Sequence, residues 1–203
     1  MRKDIEKMSL QQKIEHLFTI ISGQRFLQKK GLGNEVPFFI FPYKAGEAVA
    51  MERQQRQLIS RLEQAGIQIL EINLYDLSIN ILKERNIWDK ILDVEENVSK
   101  DELKELLQDV LDSETHLKPV IASLLKSRDY DVLFISGVGE VFPYIRAHNV
   151  LNNLQSIAKD KPTVMFFPGA YTHSLETGAK LVLFGKLTDD KYYRAFNILD
   201  YES

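Results

Sequence analysis

The chain has 203 residues, 44% of them apolar and 27% charged, which is enough for one domain that buries roughly 70% of its unfolded surface and too ordinary for a disordered or collagen-like chain. Lys and Arg number 26 against 29 Asp and Glu, so the formal charge of -3 offers no basic field for a phosphate backbone, and no direct nucleic-acid binding is expected. Zero cysteine excludes disulfides, thiolate metal sites, iron–sulfur clusters and a Cys nucleophile, and it suits a reducing compartment.

Residues 1–13 are rich in Lys, Glu and Gln and lack the apolar stretch of a signal peptide, and no window has the length of a membrane span, so the expected location is the cytoplasm. Ile5, Met8, Ile14, Leu17, Phe18 and Ile21 recur at helical spacing and predict an amphipathic helix over 5–21, with Ser9 and Gln12 spaced as a capping box. A glycine-bearing loop leads to the apolar run 36–41, read as a first strand buried on both faces. Val49, Leu58, Ile59, Leu62 and Ala65 predict a helix ended by Gly66, and 67–74 alternates as a second strand. Strand, helix and strand within about 40 residues is the length of a right-handed crossover, which predicts that the two strands form a parallel pair.

Residues 76–126 read as a helical insertion. It holds one helical stretch over 76–93, a second behind the capping box of Ser99 and Glu102, and a separate segment after Pro119. Residues 132–135 form the next strand, Pro143 is placed to begin a helix through Ile145, Val150, Leu151 and Leu154, and 163–167 is a further strand ended by Pro168 and Gly169. Two late apolar runs, 181–184 and 193–199, supply one or two more strands, such as an edge hairpin. With no repeat or low-complexity linker, residues 1–203 read as a single three-layer α/β domain with a mostly parallel central sheet, an architecture of the P-loop NTPase kind without a Walker A motif.

Ligands of such sheets sit at the carboxyl ends of the strands, where 41–47, 136–140 and 167–173 are expected to be loops. Pocket candidates there are Lys44, Gly46, Ser136, Gly137, Gly139 and Gly169. The first loop lacks the Gly-x-x-x-x-Gly-Lys-Ser/Thr spacing and carries Glu47 where phosphates would lie, and Gly137 and Gly139 lack the third glycine of a dinucleotide fingerprint, Phe142 standing in its place. Glu140, Arg146, His148 and Asn149 form a candidate polar cluster, read either as acid–base groups or as ordinary helix-terminus polar residues. Histidines 16, 116, 148 and 173 have no metal-ligand spacing, and Ser136 lacks a nucleophile elbow, so no cofactor and no metal is expected. Tyr171, Tyr192, Tyr193, Phe196 and Tyr201, interleaved with Lys186, Lys191 and Arg194, suit core packing, a protein interface or base stacking. Tyr171, Tyr192 and Arg194 are the candidate partner-binding residues.

The stretch 134–154, FISGVGEVFPYIRAHNVLNNL, resembles the BrxB family of BREX (bacteriophage exclusion) systems, and the likeness continues in PTVMFFPGAY at 162–171, LFGKL at 183–187 and YYRAFNI at 192–198. The resemblance runs the full length with its weight after Tyr130. It implies a cytoplasmic component of an antiphage system that travels with an ATPase, a methyltransferase and a PglZ-type alkaline-phosphatase-like protein, the last as its expected partner, and it carries over no catalytic residue. Two functions stay open from sequence: a non-enzymatic assembly or adaptor subunit, and a degenerate nucleotide-binding or hydrolytic enzyme with its site at the strand ends.

Overall fold

The computed structural model describes residues 7–29, 37–174, 178–188 and 195–201. Helix α1 (Leu10–Ser22) starts where the sequence places a capping box: the Gln12 N–H donates to Ser9 Oγ at 3.2 Å and the Ser9 N–H to Gln12 Oε1 at 2.9 Å. Two of the helix's orphan donors are thereby satisfied, which fixes the start at Leu10; residue 5, the expected start, lies outside the described residues. A short helix α2 (Gln24–Leu27) follows Gly23.

Among the described residues seven strands follow, β1 (Phe38–Tyr43), β2 (Ile69–Asn73), β3 (Val132–Ser136), β4 (Thr163–Ser174), β5 (Gly178–Leu183), β6 (Leu187–Thr188) and β7 (Phe196–Asn197). The path β2-β3-β4-β1-β7 is parallel throughout, with β5 antiparallel to the far part of β4 and β6 hairpinned to β5. The fold is therefore α/β with a mostly parallel sheet, as the sequence predicts. The pairing of β1 with β2 is corrected, because β3 and β4 lie between them. Crossover length fixes relative direction but not adjacency: β3, buried at every position, lies inside the sheet between β2 and β4, while β2, which carries the charged Glu71, takes an edge.

Helix α3 (Ala48–Gln64) joins β1 to the Gly66 turn, where φ of +84° suits glycine. With α1 and α2 it covers the sheet face formed by Phe39, Phe41, Ile69, Val132, Phe134, Val164 and Phe166. The opposite face, built on Ile40, Ile72, Leu133, Ile135 and Met165, is covered by α4 (Leu74–Glu84), α5 (Trp88–Glu95), α6 (Lys100–Val110), α7 (Lys118–Ser127), α8 (Ala147–Ile157) and β5. Asn86, at φ +57°, breaks the expected helix over 76–93 into α4 and α5. Pro119 lies in the first turn of α7, where its missing N–H costs nothing, after a π-helical turn Ser113–Leu117.

Two further expectations are corrected. Residues around Pro143 form turns, and α8 begins only at Ala147. Strand β4 does not end at Pro168 and Gly169 but changes partner there. It runs parallel to β1 up to the Tyr43–Pro168 pair and antiparallel to β5 from the Gly169–Leu183 pair, while the Pro168 carbonyl accepts the Phe184 N–H at 2.8 Å. Proline is tolerated because β1 stops at that position, so no ladder donor is lost.

Candidate functional site

Because β1, β2 and β3 are parallel, their carboxyl ends emerge on one edge of the sheet, where they border a cleft of about 650 Å3. Its floor is set by a tight approach. Asn73, the last residue of β2, caps α4 by accepting the Tyr75 N–H at 2.9 Å and the Asp76 N–H at 3.3 Å. Gly137, just past β3 at φ +73°, sits against that cap so closely that a Cβ would stand 2.3 Å from Asn73 Oδ1. Only glycine fits there, for the conformation and for the space.

Carboxylates from four separate segments line the cleft: Glu52 on α3, Glu71 on β2, Asp76 on α4 and Glu140 after β3. Against them stands Arg56, whose Nη1 lies 2.6 Å from Glu52 Oε1. Glu71 is the best-held of the four. Gln55 Nε2 donates to its Oε1 at 2.6 Å and Ser136 Oγ at 3.4 Å. Loss of surrounding water pushes its carboxyl above the ordinary glutamate range, the hydrogen bonds from Ser136 and Gln55 oppose this, and the Asp76 charge reinforces it. The Tyr43 phenol on the same wall is pushed up to about 12 by burial and then by the Glu140 charge. A cleft with these groups accepts hydrogen-bond donors and cations and repels phosphates.

The residues expected to form a site are only partly gathered. Ser136, Gly137 and Glu140 line the cleft; Lys44, just before the 3-10 turn Ala45–Glu47, and Gly46, within it, are exposed and lie outside its lining, with nothing within 4 Å of a Cβ placed on Gly46. Gly139 makes room for packing instead, since a Cβ there would meet Pro168 Cγ at 2.9 Å and Phe184 Cε1 at 3.1 Å. Gly169 lies within β4, not in a loop, and a Cβ would reach 2.1 Å from the Val182 carbonyl oxygen. The expected loop over 167–173 is thus strand. Arg146 is exposed at the position just before α8, His148 is buried in that helix and Asn149 is exposed, so with Glu140 on the strand-end cleft the four do not form one cluster. Tyr171 is half-buried and donates its hydroxyl to the Ala195 carbonyl at 3.0 Å; Tyr192 and Arg194 lie outside the described residues. Among the described residues no group of three or more His, Cys, Asp or Glu is arranged to hold a metal ion.

Sequence reasoning missed Glu71 and Gln55, although both leave a trace. Glu71 is the charged residue within the apolar strand β2, and Gln55 occupies the buried stripe of α3 otherwise made by Met51, Leu58 and Leu62.

Residues 70–198 match the family model described as BREX protein BrxB. The chain is 33% identical to BREX protein BrxB of Bacillus cereus (strain H3081.97), over 94% of this chain and 98% of that one. It is 27% identical to BREX protein BrxB of Escherichia coli O9:H4 (strain HS), over 94% and 92% respectively. No solved structure matches the chain. A family model spanning more than half of the residues, joined to likeness over nearly the full length of both relatives, places this chain in the BrxB family.

Proposed function

We propose that this BREX protein is a non-enzymatic assembly or adaptor component of a bacteriophage-exclusion system, that it works in the cytoplasm, and that its partner is the PglZ-type alkaline-phosphatase-like protein. Among the described residues no helix is long and apolar enough to cross a membrane, in keeping with that location. The observation that carries the reading is the charge of the strand-end cleft. Where an α/β enzyme of the nucleotide-binding kind presents amide donors and a lysine to phosphates, this chain presents Glu52, Glu71, Asp76 and Glu140, and Lys44 lies outside the lining. Such a lining suits contact with other proteins better than nucleotide chemistry.

The test is co-expression of the tagged full-length chain with the other proteins of its system. Stoichiometric recovery of the PglZ-type protein, surviving size exclusion, is the expected result; its absence under conditions where the chain is folded overturns the reading. A hydrolytic enzyme is the second reading, favoured by one observation, the raised carboxyl of Glu71 beside Ser136. It requires a hydrolytic activity of the wild type that Glu71→Gln abolishes.

A further inference from the structure

A second cleft, of about 320 Å3, opens between the turn after β3 and the β5–β6 hairpin. Val138, Phe142 and Ile145 form one wall and Leu181, Leu183 and Leu187 the other. Apart from Leu181 and Thr188, its lining falls within the segments 134–154, 162–171 and 183–187 that carry the family resemblance, which the strand-end cleft leaves largely unused.

Three observations make this surface more than a gap in packing. Phe184 is 37% and Leu187 44% exposed, so the apolar wall continues outward past the cleft mouth. Phe184 holds φ +55°, a left-handed conformation uncommon for a bulky residue, and its ring stands edge-on to Phe142 at 6.2 Å over the space that Gly139 leaves open. The chain therefore strains its backbone at a place where an aromatic ring meets water. Finally, the charged residues of the lining, Arg146 and Lys186, are both cations, on a chain whose net charge is -3.

We propose that this cleft docks an acidic segment of a partner protein, which inserts a large apolar side chain between Phe142 and Leu187 and sets its carboxylates against Arg146 and Lys186. The inference rests on the adaptor reading and adds the surface and the partner's chemistry. A small apolar acid would fill the cleft but leave Phe184 and Leu187 wet, whereas a protein segment covers the anchors and the charged rim together.

The experiment compares capture of the PglZ-type protein by the wild-type chain, by Arg146→Glu/Lys186→Glu and by Leu187→Asp. All three positions are exposed, so the fold is expected to survive, and thermal melts of each variant check it. Capture should fall at least about tenfold in both variants with the melting temperature unchanged, and wild-type capture should weaken with salt while the remainder in the charge-reversed variant does not. Undiminished capture by both folded variants overturns the docking site and leaves the adaptor reading standing. Failure of the folded wild type to capture the PglZ-type protein overturns the adaptor reading itself, and this inference with it. If the wild type self-associates on size exclusion and the variants lose that association with capture intact, the cleft belongs to a second copy of the chain and the inference is overturned.

Discussion

Glu71 concentrates the chemistry of the strand-end cleft in one carboxyl. Its folded pKa lies above the ordinary glutamate range, mainly through desolvation, so the folded protein binds this proton more tightly than the unfolded chain does. Stability therefore falls as pH rises from the ordinary glutamate range through the raised value. Glu71→Gln keeps an acceptor for Gln55 Nε2 and Ser136 Oγ and removes the charge. The variant should melt higher than wild type at about pH 8 and converge with it near pH 4, where both side chains are neutral. Thermal melts across that window check it, and a wild-type advantage at the higher pH would refute the account. The residue leaves a trace in the sequence, an acid inside an apolar strand, that sequence reasoning passed over. Its partners were not legible, because Gln55 and Ser136 meet it from segments 16 and 65 residues away.

The contact between the end of β3 and the start of α4 is where two elements lock. The Asn73 cap satisfies two α4 donors, and Gly137 fits over it. Asn73→Ala should cost about 1 kcal/mol through the lost cap, and Gly137→Ala about 2 kcal/mol or more through the positive φ and the 2.3 Å approach to Asn73 Oδ1. Because the second cost includes a clash with the first side chain, the double variant should be less destabilised than the sum of the two, by about 0.5 kcal/mol or more. Urea melts of the four proteins measure this coupling, and strict additivity would show that the contact is not shared. Caps of this kind are local: the boxes of Ser9 with Gln12 and Ser99 with Glu102 stand where their spacing puts them. What was not legible depends on partners distant in the chain. Pro168-Gly169 reads as a stop, yet β4 continues because β1 ends and β5 takes over at that step. The same blindness hid the order of β1 and β2, since direction follows from crossover length and adjacency from which strands are apolar on both faces.

The assembled sheet gathers side chains that the sequence scatters, and the result is a cleft whose position invites a nucleotide and whose charge does not. Parallel strands bring Glu52, Glu71, Asp76 and Glu140 to one edge, while Lys44, the cation a phosphate-binding reading needs, is exposed outside the lining. A cleft at the strand ends was legible from topology alone, whereas the sign of its potential required knowing which carboxylates converge. The consequence is measurable by linkage. A ligand that binds only the folded state stabilises it by about 2.7 kcal/mol at a concentration one hundred times its dissociation constant, which for a chain of this length raises the melting temperature by roughly 5–10 °C. With about 1 mM ATP and excess Mg2+, a dissociation constant near 10 μM would give that rise. The expected shift for this protein is below about 1 °C, with no nucleotide hydrolysed, because four carboxylates face the triphosphate and no lysine and hydroxyl pair is set to hold it with its metal. A rise of several degrees that is lost in Lys44→Ala would show that the first turn reaches phosphate after all, and would favour the nucleotide-binding reading over the adaptor.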